Sequence, residues 1–139
     1  FMSEKHLVGG CVCGAVRYEC DGDPVLVAHC HCRDCQRSSG AAMATVFAVP
    51  KTAFHLIEGE TARYQYTGDS GQAVFRHFCP ICGSPLFTDV VVMPELQFVR
   101  ATSLENPSLV SPSMHIYCDS AQPWALSMDS LPHFGRLPG

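Results

Sequence analysis

Apolar positions come in short runs cut by glycine and proline, and nowhere does a 3.6-residue period persist for more than a turn or two. Arg63-Tyr-Gln-Tyr-Thr and Val74-Phe-Arg-His-Phe alternate as half-buried strands do. Turn residues between runs rich in Val, Phe, Tyr and Thr predict strands over 15–20, 25–30, 42–49, 54–57, 62–66, 73–78, 86–92, 97–101 and 115–117. One helix is expected after Cys32, ending near Gly40, with a single turn at 51–53. The pattern reads as mostly β.

Length fits this picture. A chain of 139 residues buries about two-thirds of its unfolded surface, enough for one core and too little for two. The expected division is a tail over 1–8, a domain over 9–134 and a second tail over 135–139. Phe1 ahead of Met2 is read as a leftover of expression. The longest apolar run, 41–49, is about half a membrane span, and the first residues lack a signal-peptide pattern. These readings predict a cytoplasmic protein with no membrane partner.

Cysteine changes the picture. Nine of them, an odd number without a signal peptide, argue for metal ligation or thiol chemistry over a secreted disulfide framework. Thirteen acidic against nine basic side chains give a net charge of −4. Two zinc ions held by seven thiolates would take it to about −7. Such a molecule has no general attraction for nucleic acid.

Two cysteine pairs, Cys11-Val-Cys13-Gly14 and Cys79-Pro-Ile-Cys82-Gly83, suit one tetrahedral zinc with every position filled by sulfur. A glycine after each pair lets the backbone turn back so that N–H groups point at sulfur, and Pro80 helps set the turn. The competing reading is two unrelated pairs of buried or redox-active thiols. A redox pair would open a helix, whereas Cys79 ends a predicted strand.

A third group lies between them: His29-Cys30-His31-Cys32-Arg33-Asp34-Cys35-Gln36-Arg37. Cys30, Cys32 and Cys35 can converge if Cys30 ends a strand and the other two share a first helical turn. Three thiolates leave a metal's fourth position to water or substrate, the pattern of a catalytic site. The helix N-terminus, Arg33 and Arg37 would all favour thiolates there. Other readings stay open: a fourth ligand from His29 or His31, a Cys32–Cys35 disulfide, or three free thiols. Strand alternation points both histidines to the face opposite Cys30. Asp34 is expected to cap the helix. His115 is expected to bond to backbone, Tyr117 and Trp124 to complete the core, and Cys20 and Cys118 to be buried as small hydrophobes.

In this order, C-x-C-G-x-x-x-Y from Cys11 to Tyr18, C-H-C-x-x-C-Q-R-x-x-G from Cys30 to Gly40 and F-C-x-x-C-G-x-x-L from Phe78 to Leu86 resemble the glutathione-dependent formaldehyde-activating enzyme family, which includes centromere protein V. The stretch His115-Ile-Tyr-Cys-Asp-Ser-Ala-Gln-Pro-Trp124 is similar to the segment that closes the family's domain. The resemblance implies a β-tent of packed antiparallel sheets pinned by a structural zinc on Cys11, Cys13, Cys79 and Cys82. It implies a second zinc on Cys30, Cys32 and Cys35. It also implies a carbon–sulfur lyase that interconverts glutathione plus formaldehyde with S-(hydroxymethyl)glutathione. In that chemistry the triad binds a low-molecular-weight thiol as thiolate, with Arg33 and Arg37 as candidates to hold its carboxylates. The competing reading is a non-catalytic zinc-binding scaffold or interaction domain of the same fold.

Overall fold

The computed structural model describes residues 5–125 and 131–138. Among the described residues ten strands and one α-helix follow in order: β1 (His6–Gly10), β2 (Arg17–Asp21), β3 (Leu26–Cys30), α1 (Arg33–Ser39), β4 (Ala44–Pro50), β5 (Phe54–Glu58), β6 (Ala62–Thr67), β7 (Ala73–Phe78), β8 (Pro85–Val90), β9 (Leu96–Arg100) and β10 (Met114–Ile116). A 3-10 turn at Lys51–Ala53 links β4 to β5, as the sequence predicts. The protein is mostly β. Among the described residues no helix is long and apolar enough to cross a membrane.

The strands form two sheets, one of three strands in the order β1-β2-β5 and one of seven in the order β10-β3-β4-β9-β8-β7-β6. The larger sheet is mixed rather than purely antiparallel, because β10 runs parallel to β3. Sequence patterning missed β1, whose His-Leu-Val-Gly-Gly offers only two strongly apolar side chains. Pairing with β2 recovers it, and residues 6–8, expected in the tail, are strand. Gly9 shows why that strand is poor in side chains. A Cβ there would lie 2.5 Å from both the Ser103 carbonyl oxygen and the Tyr18 hydroxyl.

Alternation sorts the faces of the large sheet. Phe47, Val99 and Phe87 are direct cross-strand neighbours on β4, β9 and β8. They are buried with Leu7, Tyr18 and Cys20 of the small sheet. Phe54 bridges the two layers, with its ring centroid 5.3 Å from Tyr18 and 4.8 Å from Phe87. Each such side chain contributes about 1.5–3 kcal/mol by leaving water. Cys20 is buried as expected, which pushes its thiol up to about 12. Three expectations fail near the C-terminus. Trp124 is 61% and Tyr117 49% exposed, and Cys118 is exposed too. After β10 the backbone turns at Tyr117, which takes a left-handed φ of 58°, and these side chains leave the layers behind.

Candidate metal centres and the cavity beside them

Cys11 and Cys13 lie in the loop from β1 to β2, and Cys79 and Cys82 in the loop from β7 to β8. The first loop belongs to the small sheet and the second to the large one. Their four sulfurs lie within 4.8 Å of one another and can hold a metal ion. Cys11 to Cys13 is 3.5 Å and Cys13 to Cys79 is 3.7 Å between sulfurs. A tetrahedral zinc with bonds of about 2.3 Å would space its sulfurs about 3.8 Å apart, so the donor set fits. Donors surround the sulfurs as they would surround thiolates. The Val16 N–H meets Cys11 Sγ at 3.2 Å, and the Ile81 and Cys82 N–H groups meet Cys79 Sγ at 3.4 and 3.5 Å. The Ser84 hydroxyl and backbone lower the Cys82 thiol to about 5. Gly83 closes its turn at φ +80°, donating to the Cys79 carbonyl at 2.9 Å. That conformation strains any side-chain-bearing residue.

The second group is Cys30, Cys32 and Cys35, whose sulfurs also lie within 4.8 Å of one another. Cys30 ends β3. Cys32 is the N-cap of α1, its sulfur accepting from the Cys35 N–H at 3.2 Å. Asp34, expected to cap the helix, instead sits in its first turn, because the sulfur already holds the orphan N–H. α1 ends at Gly40, as predicted, and Gly40 takes the left-handed conformation. Gln36 locks the helix in place. Its buried amide donates to the carbonyls of His31 at 2.7 Å and Ser120 at 3.0 Å.

None of the nine cysteines is in a disulfide. Hydrogen bonds from Cys30 and Cys35 hold the Cys32 thiol far below its ordinary range, and the same sharing pushes Cys30 and Cys35 up.

Neither His29 nor His31 joins a cysteine cluster, in line with the strand geometry. His29 bonds to the Thr45 hydroxyl at 2.8 Å. His31 is fully buried, and its Nε2 lies 2.8 Å from His115 Nδ1. His115 therefore pairs with a ring rather than with backbone as expected. Their neighbouring chains are parallel, and the register sets His29 beside His115.

A cavity of about 230 Å³ opens beside the triad. Its polar lining includes Asp34, Cys35 and Ser38 from one side of α1 and Tyr66, Arg76 and Arg100 from the large sheet. Arg33 and Arg37 do not line it. They occupy the other side of α1, around a hollow shared with Gln36 and Trp124, and Arg33 donates to the side-chain amide oxygen of Gln36. Helical spacing explains the separation, since 33, 37 and 40 share a side from which 34, 35 and 38 are excluded. Arg76 and Arg100 are the cations that sequence reasoning missed, and Arg100 is the buried one. It is 6% exposed and donates to the Ser38 hydroxyl at 2.6 Å. Burial lowers its pKa, against the pull of the nearby Cys35 sulfur. The available signal was its position two residues after Phe98 in a strand, which puts both on one face.

Residues 6–120 match the family described as glutathione-dependent formaldehyde-activating enzyme. The crystal structure of a Rhodobacter sphaeroides protein is similar in fold, with a TM-score of 0.60. It is 23% identical, and the match covers 78% of this chain and 98% of that one.

Proposed function

The chain belongs to the glutathione-dependent formaldehyde-activating enzyme family, and on that premise we propose that it is a zinc-dependent carbon–sulfur lyase acting on a small thiol–aldehyde adduct. Zinc is the metal that suits both sulfur sets. Cys11, Cys13, Cys79 and Cys82 would hold a structural ion, and Cys30, Cys32 and Cys35 an exchangeable one. The second ion would supply an open position at which a thiol binds as thiolate at neutral pH.

The chain's own groups complete the reaction. In the synthetic direction a C–S bond forms between the thiol sulfur and the aldehyde carbon, and the sulfur's proton ends on the aldehyde oxygen. Arg100 balances negative charge beside the sulfurs. Tyr66 lines the same cavity, and burial pushes its phenol up to about 12. It therefore stays protonated and can donate a hydrogen bond to the aldehyde oxygen. The apolar walls reduce the water that competes with both reactants.

The observation that carries this reading is three converging sulfurs, without a histidine or carboxylate ligand among the described residues, beside a cavity large enough for a substrate. A scaffold domain would need no such space. Exchange of formaldehyde with glutathione and other small thiols, followed by NMR, tests it. Exchange above the spontaneous background supports the enzyme, and background exchange by zinc-replete protein with every thiol leaves the scaffold.

A further inference from the structure

We propose that the cavity beside the triad is shaped for a compact thiol with an apolar body and one anionic group, a mercaptocarboxylate rather than a tripeptide thiol, with Arg100 taking the anion. This rests on reading the triad as a thiol-binding metal site.

The wall is the first observation. Cys30, Val46, Val74, Val90 and Phe98 all line the cavity, together with Ile116. Register explains why they meet. Ile116 pairs with Cys30, Val46 with Arg100, and Val74 with Val90, so one face of five neighbouring strands and β10 presents aliphatic and aromatic carbon. This is the face turned away from the Phe47–Val99–Phe87 core. Thr88, Arg76 and Arg100 share that face, and away from them a peptide group pressed against carbon would lose its water without gaining a partner.

Size is the second. Pockets that enclose drug-sized ligands run from about 300 to 1,000 Å³. At about 230 Å³ this one is smaller, and the metal's bound sulfur must share it. A tripeptide thiol could not be enclosed whole.

Charge is the third. Arg100 is buried, and among the described residues it makes no ion pair with a carboxylate. Its hydrogen bond to Ser38 uses one of five guanidinium donors. A buried cation with spare donors facing a cavity suits a carboxylate, which can take two of them at once. Beyond Arg100 the space is lined by one further cation, Arg76, and by two carboxylates, Asp34 and Asp69, so a second anion on the same ligand would meet net like charge.

The test uses cobalt-loaded protein, whose sulfur-to-cobalt absorption bands shift when a thiol joins the metal. The titrants are 2-mercapto-3-phenylpropanoate, its carboxamide and glutathione. The mercaptocarboxylate is expected to saturate the shift at a concentration at least tenfold lower than either of the others. Arg100→Gln should erase the preference for acid over amide. Val90→Phe, which narrows the cavity without touching Arg100, should weaken the mercaptocarboxylate at least tenfold and leave the bands of the thiol-free protein unchanged. Equal binding of acid and amide, or glutathione binding as tightly as the mercaptocarboxylate, overturns the proposal alone. A spectrum that no thiol moves overturns it together with the thiol-site reading beneath it.

Discussion

At the scale of single residues, Cys35 and Gln36 are neighbours with separable duties. Cys35 offers its sulfur to the triad, and on the proposed reading the structural staple is the other, four-sulfur cluster. Cys35→Ala is therefore expected to lose the triad's metal while keeping a melting temperature within a few degrees of the parent. Thiol–formaldehyde exchange should drop to background. Metal content, a melting curve and an exchange rate from one preparation check all three, and loss of folding would make the triad structural. Gln36 works through position instead. Its amide ties α1 both to the end of β3 and to the segment around Ser120. Gln36→Ala strands one buried and one half-buried carbonyl and should cost about 1–3 kcal/mol of unfolding free energy. Denaturant curves measure that cost, and a competition titration with a coloured chelator should show weaker metal binding at the triad.

At the scale of elements, Asp89 shows how neighbouring strands of the large sheet are held in register. Its carboxylate on β8 meets Lys51 from the turn after β4 at 2.8 Å, His77 on β7 at 2.9 Å and Gln97 on β9 at 2.9 Å. Partial burial pushes its carboxyl up, but the hydrogen bonds from Lys51, Gln97 and His77 outweigh this and hold it below the ordinary 3.8. The sign follows from linkage. A carboxyl with a lower pKa folded than unfolded stabilises the protein fully above the unfolded value, and that stability is lost as pH falls through the folded one. Asp89→Asn is expected to be less stable at pH 6 and to lose less on further acidification than the parent. Urea unfolding of both proteins between pH 3 and 6 measures the difference, and parallel curves would show that Asp89 contributes nothing through its charge.

At the scale of the whole molecule, the four-sulfur cluster joins two sheets. Cys11 and Cys13 come from the layer of β1 and β2, and Cys79 and Cys82 from the layer of β7 and β8. A metal held there would close a long loop and add a staple to a core that already packs Phe47, Phe87 and Val99 against Tyr18 and Leu7. Structural zinc binds with on the order of 10 kcal/mol, comparable to the whole stability of a small domain. Cys82→Ser should therefore unfold or aggregate, the reverse of Cys35→Ala. Circular dichroism and size-exclusion chromatography read this directly, and an unchanged melting temperature would remove the structural role from the cluster.

Both cysteine groups were legible in the sequence because their geometry is local. A C-x-C or C-x-x-C turn brings its own sulfurs together, and a strand end followed by a helix start does the same for Cys30, Cys32 and Cys35. Nine of the ten strands were legible for a similar reason, since period-two patterning lives within a few residues. β1 was not, because Gly9 and Gly10 trade side chains for close approach to Tyr18, Ser103 and Val16, a contact nothing in the local pattern signals. The cations at the cavity were decided only by tertiary structure. Arg33 and Arg37 adjoin the triad in sequence but lie on the far side of α1, whereas Arg100 reaches it from a strand paired two places away. The pairing of His31 with His115 needed the parallel docking of β10 on β3. Sulfur ligands are placed by bonds along the chain, while the charge and shape around them depend on which strands lie side by side, and that is settled by packing across the whole molecule.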